Sequence, residues 1–223
     1  MEEKTERGVR TNGDLALIVT GGFCDTDALK ADGRFRESAD GAYVIAADSG
    51  LVTAEKLGLE PALIVGDFDS YTGVLPEGPQ ILRVPAEKDE TDTVLACRMA
   101  AERGYRRLMI TGGTGGRADH ELSNILWLYS LKMRGIDAVM TDGRNEFRVL
   151  LDESVRIPAH RGWYFSLFAL GECSVTADGC RYPLREPTAL TWENPSYAVS
   201  NEVTAEAAVV EAKGCVLLVR SRG

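Results

Sequence analysis

Leu108-Met109-Ile110-Thr111-Gly112-Gly113-Thr114-Gly115-Gly116-Arg117-Ala118-Asp119-His120 decides how this chain is read. Its apolar start makes a short strand at 108–110, a glycine-rich loop follows, and residues 119–134 carry a helical pattern. Working outward, the same alternation recurs. Residues 15–19, 43–47, 62–65, 81–84 and 138–140 read as strands, and 93–103 as a helix closed by Gly104. Such alternation predicts an α/β fold, a mostly parallel sheet with flanking helices whose ligands sit at the carboxyl ends of strands.

After Gly143 the pattern changes. Apolar runs at 147–151, 155–157, 163–170, 197–199, 207–210 and 216–220 are separated by turn residues and predict antiparallel β structure. The chain divides on this reading into a polar tail (1–12), an α/β domain (13–145) and a β domain (146–223), packed together without a long linker.

Of the 223 residues 44% are hydrophobic, enough for a substantial core, and the net charge is −9. That charge argues against nucleic acid as a partner, since such binding needs Lys and Arg to neutralise phosphates. No run approaches the roughly 18 apolar residues that read as a membrane span, and the N-terminal stretch lacks an apolar leader. Cys24, Cys97, Cys173, Cys180 and Cys215 are odd in number and show no C-x-x-C spacing. A soluble, cytoplasmic protein is expected, without a disulfide framework or zinc.

Acids fall where the expected strands end. Asp48 follows 43–47, Asp67 and Asp69 follow 62–65, and Asp89 and Asp92 follow 81–84 after a short loop. Parallel strands share one edge, so these carboxylates can converge, and converging like charges repel unless a cation or protons sit among them. Magnesium takes hard oxygen ligands, which suits Asp67, Asp69 and Asp92. Taken singly, each acid has a simpler explanation. Gly66-Asp67-Phe68-Asp69-Ser70 is also good turn sequence, and Asp89 or Asp92 could cap a helix.

In the glycine-rich loop, Gly112, Gly113, Gly115 and Gly116 let backbone amides approach phosphate oxygens, the helix start adds positive potential, and Arg117 offers a bidentate contact. It is neither a G-x-x-x-x-G-K-[ST] loop nor a G-x-G-x-x-G fingerprint. Asp119 and His120 open the helix, and His120 could touch a nucleotide or carry a proton. Lys88 could pair with a phosphate, whereas His160 reads as a surface residue.

Together, Ala47-Asp48-Ser49-Gly50, Gly66-Asp67-Phe68-Asp69-Ser70, Lys88-Asp89-Glu90-Thr91-Asp92 and the stretch from Gly112 to His120 resemble the ordered motifs of thiamin pyrophosphokinases. Tyr182-Pro183-Leu184 and Ser200-Asn201-Glu202 extend the resemblance toward the C-terminus. It implies an N-terminal α/β domain, a C-terminal β-sandwich, and a homodimer with thiamin near the subunit interface. It also implies transfer of the β,γ-diphosphoryl group of ATP to the hydroxyl of thiamin, releasing AMP. Asp48, Asp67, Asp69 and Asp92 would be catalytic, with Asp67, Asp69 and Asp92 holding magnesium. Lys88, Asp89, Gly112, Gly113, Gly115, Gly116, Arg117, Asp119 and His120 would hold ATP, and Ser200 and Asn201 would help form the thiamin pocket. Trp192 is a candidate to stack on the thiamin ring, although a tryptophan in a β domain is more often core.

Two other readings stand beside this one. A phosphatase could use Asp67 as nucleophile and Asp69 as acid, but that motif belongs on a first strand and here two strands precede it. A nucleotide or thiamin sensor without turnover would be marked by a missing metal carboxylate, and all three are present.

Overall fold

A computed structural model describes residues 14–68, 75–85 and 90–223. Asp69, Lys88, Asp89 and the expected polar tail lie outside the described residues.

Short runs, mostly apolar and too short for helices, form the parallel strands: β1 (Leu15–Val19), β2 (Tyr43–Ala47), β3 (Leu63–Gly66), β4 (Gln80–Arg83), β5 (Arg107–Thr111) and β6 (Asp137–Thr141). Between them lie α1 (Thr26–Ala31), α2 (Gly33–Ala39), α3 (Gly50–Leu57), α4 (Asp92–Glu102) and α5 (Ala118–Met133). Every residue of β1 is buried, as befits a strand covered on both faces, whereas β4 is exposed throughout and closes the edge.

The strand order across this part is β6-β5-β1-β2-β3-β4. Successive strands run outward from β1 on one side, and β5 returns to its other side, so the order reverses between β1 and β5. In such a sheet, ligands bind outside the carboxyl ends of the strands at this reversal.

β7 (Asn145–Leu151) pairs antiparallel with β6 and carries the sheet onward into β8 (Ser154–Pro158), β9 (Trp163–Asp178), β10 (Leu184–Leu190) and β11 (Ala207–Arg222). The runs at 207–210 and 216–220 are halves of one strand, with a register shift between Gly214 and Val216. One face of β9 and β11 lines a single core along both halves, with Phe165, Leu167, Val175 and Ala177 from one and Ala208, Val210, Val216 and Leu218 from the other. One face can enclose one core only if the strand pair curls over it. β7 and β11 also alternate, giving Phe147, Val149 and Leu217 to the main core beneath α5.

One expectation needs correction, and one strand is added. Residues 197–199 are not a strand: they lie in a turn, joined to β9 by a hydrogen bond from the Leu167 N–H to the Ala198 carbonyl (2.9 Å). β10 has no strand pattern in the sequence because Arg185-Glu186-Pro187 breaks its apolar run. It is an edge strand with a register shift between Leu184 and Thr188, a position where a proline's missing N–H is tolerated.

Candidate active site

Loops from several strand ends meet around a cavity of about 340 Å³. Close packing brings them together. A Cβ at Gly21 would lie 1.9 Å from Ser49 Oγ, one at Gly22 2.3 Å from the Gly112 carbonyl oxygen, and one at Gly112 2.1 Å from the Thr20 carbonyl oxygen. Hydrogen bonds lace the same loops: Thr20 N–H donates to Thr111 O (2.8 Å), Thr20 Oγ1 to Gly112 O (2.5 Å) and Gly22 N–H to Gly112 O (2.7 Å).

Asp48 and Asp92 both line this cavity. Asp48 follows β2 with φ +48°, a left-handed conformation that aspartate tolerates better than most residues, and its N–H donates to the Val65 carbonyl (2.8 Å). Gly66 lies against it, since a Cβ there would be 3.0 Å from Asp48 Cα, so the half-buried Asp67 leaves the sheet beside Asp48. Asp92 is the first residue of α4 but not its cap. Thr91 caps the helix, its hydroxyl accepting from Val94 N–H (3.3 Å).

Gly112, Gly113, Gly116, Arg117 and His120 also line the cavity. Gly115 instead packs on Phe23, and Asp119 pairs with Arg117 through Nε···Oδ1 (3.1 Å) and Nη2···Oδ2 (2.5 Å). That fork is the main reason the exposed Asp119 carboxyl sits below its ordinary 3.8, and Arg117 is raised in return. A phosphate reaching Arg117 would have to displace this carboxylate. Helix α5 has no side-chain cap at Arg117, so its first turn opens at the cavity, although Gly115 N–H already donates to Glu121 Oε2 (3.0 Å) and His120 N–H to Asp119 Oδ1 (3.0 Å).

Three participants escaped the sequence reading. Thr20-Gly21-Gly22 lines the cavity, and a signal for it existed: Val19-Thr20-Gly21-Gly22 repeats the form of Ile110-Thr111-Gly112-Gly113. Buried Asn124 donates through Nδ2 to Gly113 O (2.9 Å), and buried Asp142 accepts from Thr114 Oγ1 (2.8 Å). Neither is marked by its neighbours in sequence.

Ser200 and Asn201 do not line this cavity. Asn201 borders another, of about 420 Å³, with Phe165, Tyr182 and Tyr197. Its Oδ1 accepts from Tyr182 N–H (3.0 Å) and Glu202 N–H (3.0 Å), while Nδ2 donates to Tyr182 O (2.8 Å) and Cys180 Sγ (3.4 Å). All of its hydrogen-bonding capacity is thereby engaged. Ser200, exposed at φ +59°, donates its N–H to Ser166 Oγ (3.0 Å). Trp192 is 69% exposed rather than core, and His160 is a surface residue, as expected.

Among the described residues no three His, Cys, Asp or Glu side chains are grouped closely enough to hold a metal by themselves. The donors at the strand ends are nevertheless hard carboxylate oxygens. Magnesium usually takes one or two of these with waters and substrate phosphates, so Asp67 and Asp92 fit an ion that completes its shell with a ligand.

A parallel sheet with a glycine-lined cavity at its switch point places the chain among the α/β proteins that bind ligands at their strand ends. Comparison with known proteins makes this specific. Residues 36–140 match the model of the family described as thiamin pyrophosphokinase, catalytic domain. The thiamine pyrophosphokinase of Bacillus subtilis (strain 168) is 32% identical over 193 residues, covering 79% of this chain and 86% of that protein. A crystal structure of thiamine pyrophosphokinase from Bacillus subtilis aligns with a TM-score of 0.79 at 27% identity, covering 94% of this chain and all 100% of that one. The thiamin pyrophosphokinase of Geobacillus thermodenitrificans aligns with a TM-score of 0.75 at 26% identity over 94% of this chain and 98% of its own. The chain belongs to the thiamin pyrophosphokinase family, and that family's enzymatic activity is its own.

Proposed function

We propose that the strand-end cavity binds ATP and that the β,γ-diphosphoryl group passes from it to the hydroxyl of thiamin, releasing AMP. The observation carrying this reading is that Asp48 and Asp92 share one cavity with the glycine loop and the opening turn of α5. Carboxylates alone would repel a polyphosphate, and glycine amides alone would not need them. Together they suit a phosphate chain bound with a divalent cation.

Asp67, Asp69 and Asp92 would hold magnesium, which would neutralise phosphate charge and stabilise the charge that develops during transfer. The amides of Gly112, Gly113 and Gly116, with Arg117 and His120, would orient the phosphates, and Lys88 and Asp89 would complete the ATP site. Asp48, beside Asp67, would orient the attacking hydroxyl. Such chemistry draws mainly on positioning and charge stabilisation and needs no covalent enzyme intermediate.

On this reading residues 13–145 form the ATP-binding part and 146–223 the thiamin-binding part. Ser200 would present its hydroxyl to thiamin while Asn201 braces the Tyr182 backbone. The two cavities share no lining residue, and on this reading a homodimer would bring one chain's Ser200 segment to its partner's strand ends. α5 supplies a surface for pairing with a second copy: Leu122, Leu126, Tyr129 and Met133, at coiled-coil spacing, are 57%, 48%, 36% and 55% exposed. A reducing, cytoplasmic setting accords with five free cysteines. No helix among the described residues is long and apolar enough to cross a membrane.

The test is product analysis with ATP, magnesium and thiamin, with Asp67→Asn as control. AMP and thiamin diphosphate in equal amounts, abolished by the control, are expected. ADP with thiamin monophosphate, or phosphate released without thiamin, would refute the reading.

A further inference from the structure

We propose that Asp142 is a positioning residue for the nucleotide cavity, acting through Thr114 to hold the loop of residues 112–116. The inference rests on reading that cavity as the ATP site.

Asp142 follows β6 at the turn into β7 and is 2% exposed. Its Oδ1 accepts from Arg144 N–H (2.8 Å) and Asn145 N–H (2.7 Å), and its Oδ2 from Thr114 Oγ1 (2.8 Å) and Asn145 Nδ2 (2.9 Å). Its backbone carbonyl accepts from Asp25 N–H (2.8 Å). One buried residue thus ties together the loop after β1, the glycine-rich loop after β5 and the turn after β6.

All four donors to the carboxylate are neutral, and keeping a charged group this deep costs several kcal/mol unless it is well hydrogen-bonded. A turn alone does not require that. Asparagine would accept the two turn amides equally well, as Asx turns routinely do. What a carboxylate adds is that it can only accept, so the Thr114 hydroxyl must donate to it and the orientation of that side chain is set. Thr114 is itself 3% exposed, lines the cavity, and accepts Phe23 N–H at its carbonyl (2.6 Å). With Asn124 holding the Gly113 carbonyl, the loop is pinned at consecutive residues by side chains from separate elements. A loop fixed in this way presents its amides to a ligand without losing conformational freedom on binding.

The experiment compares Asp142→Asn, Thr114→Val, Thr114→Ser and the Asp142→Asn/Thr114→Val double variant. Its readouts are thermal melting, calorimetric affinity for magnesium-ATP, and KM for ATP and for thiamin. Asp142→Asn and Thr114→Val should each weaken ATP binding roughly tenfold, the equivalent of one charge-assisted hydrogen bond, with KM for thiamin unmoved. The double variant should be no worse than either single one, and Thr114→Ser should bind nearly as wild type. Variants that melt earlier but bind ATP within twofold of wild type would overturn the proposal, as would multiplying effects in the double variant or a Thr114→Ser as weak as Thr114→Val. Arg117→Ala separates the two layers. If it weakens ATP binding while Asp142→Asn does not, only the proposal falls; if neither does, ATP sits elsewhere and the reading of the cavity falls with it.

Discussion

Replacing Gly112 and Gly116 by alanine, one at a time, separates glycine required by packing from glycine required by a ligand. At Gly112 φ is +77°, and the added methyl would lie 2.1 Å from the Thr20 carbonyl oxygen. An ordinary C···O contact is about 3.3 Å, so the ends of β1 and β5 must part by roughly 1 Å. That movement strains Thr20 N–H to Thr111 O and Thr20 Oγ1 to Gly112 O. With about 1 kcal/mol for the left-handed backbone and about 0.5–1.5 kcal/mol for each bond, the cost is about 2–4 kcal/mol. For a chain of this size that lowers Tm by roughly 5–15 °C. At Gly116 nothing lies within 4 Å of the added methyl, so stability should be unchanged or raised by about 0.4–1 kcal/mol. Gly116 does line the cavity, so there the methyl meets the ligand and ATP affinity should fall. Scanning fluorimetry and calorimetric ATP titration read the two effects separately. Gly112→Ala melting like wild type would refute the packing argument, and Gly116→Ala binding ATP like wild type would refute the approach of loop amides to phosphate.

Asp25 caps α1, and its carboxyl lies below the ordinary 3.8 first because it accepts Ala28 N–H (3.0 Å) and then because Arg144 Nε donates to it (2.9 Å). A depressed folded pKa stabilises above the unfolded value and is lost as pH falls through the folded one. Asp25→Asn should therefore melt below wild type at pH 7, with the gap closing as pH drops below about 4; a gap independent of pH would count against this. Leu126→Glu, on the exposed stripe of α5, should sediment as a monomer with a melt close to that of the isolated wild-type subunit, and an unaltered dimer would place the interface elsewhere. Cys97 is fully buried and burial pushes its thiol up to about 12, so a thiol reagent at pH 8 should label it only after denaturant is added. Rapid labelling of Cys97 in the native protein would show that the core beneath α4 opens readily.

Local pattern by itself determined the parallel half of the fold and which segments carry the acids and glycines near its strand ends. β1 and β2 lie where their apolar runs predict, because a strand buried on both faces has only one way to read. Asp48, Asp67 and Asp92 were legible because acids that follow such runs must fall on one sheet edge. What depends on partners distant in sequence was decided by tertiary structure alone. Thr20 meets Thr111, and Asp142 meets Thr114, through the strand order and not through any local signal. Tyr197-Ala198-Val199 has strand composition but lies in a turn before the left-handed Ser200. Asn201 stands in a motif suggestive of a ligand, yet its amide is engaged by its own chain. Periodicity reports which side of a segment is buried. Which group lies against that side, and whether a polar atom has anything left to offer a ligand, is set by the folded arrangement of segments tens of residues apart.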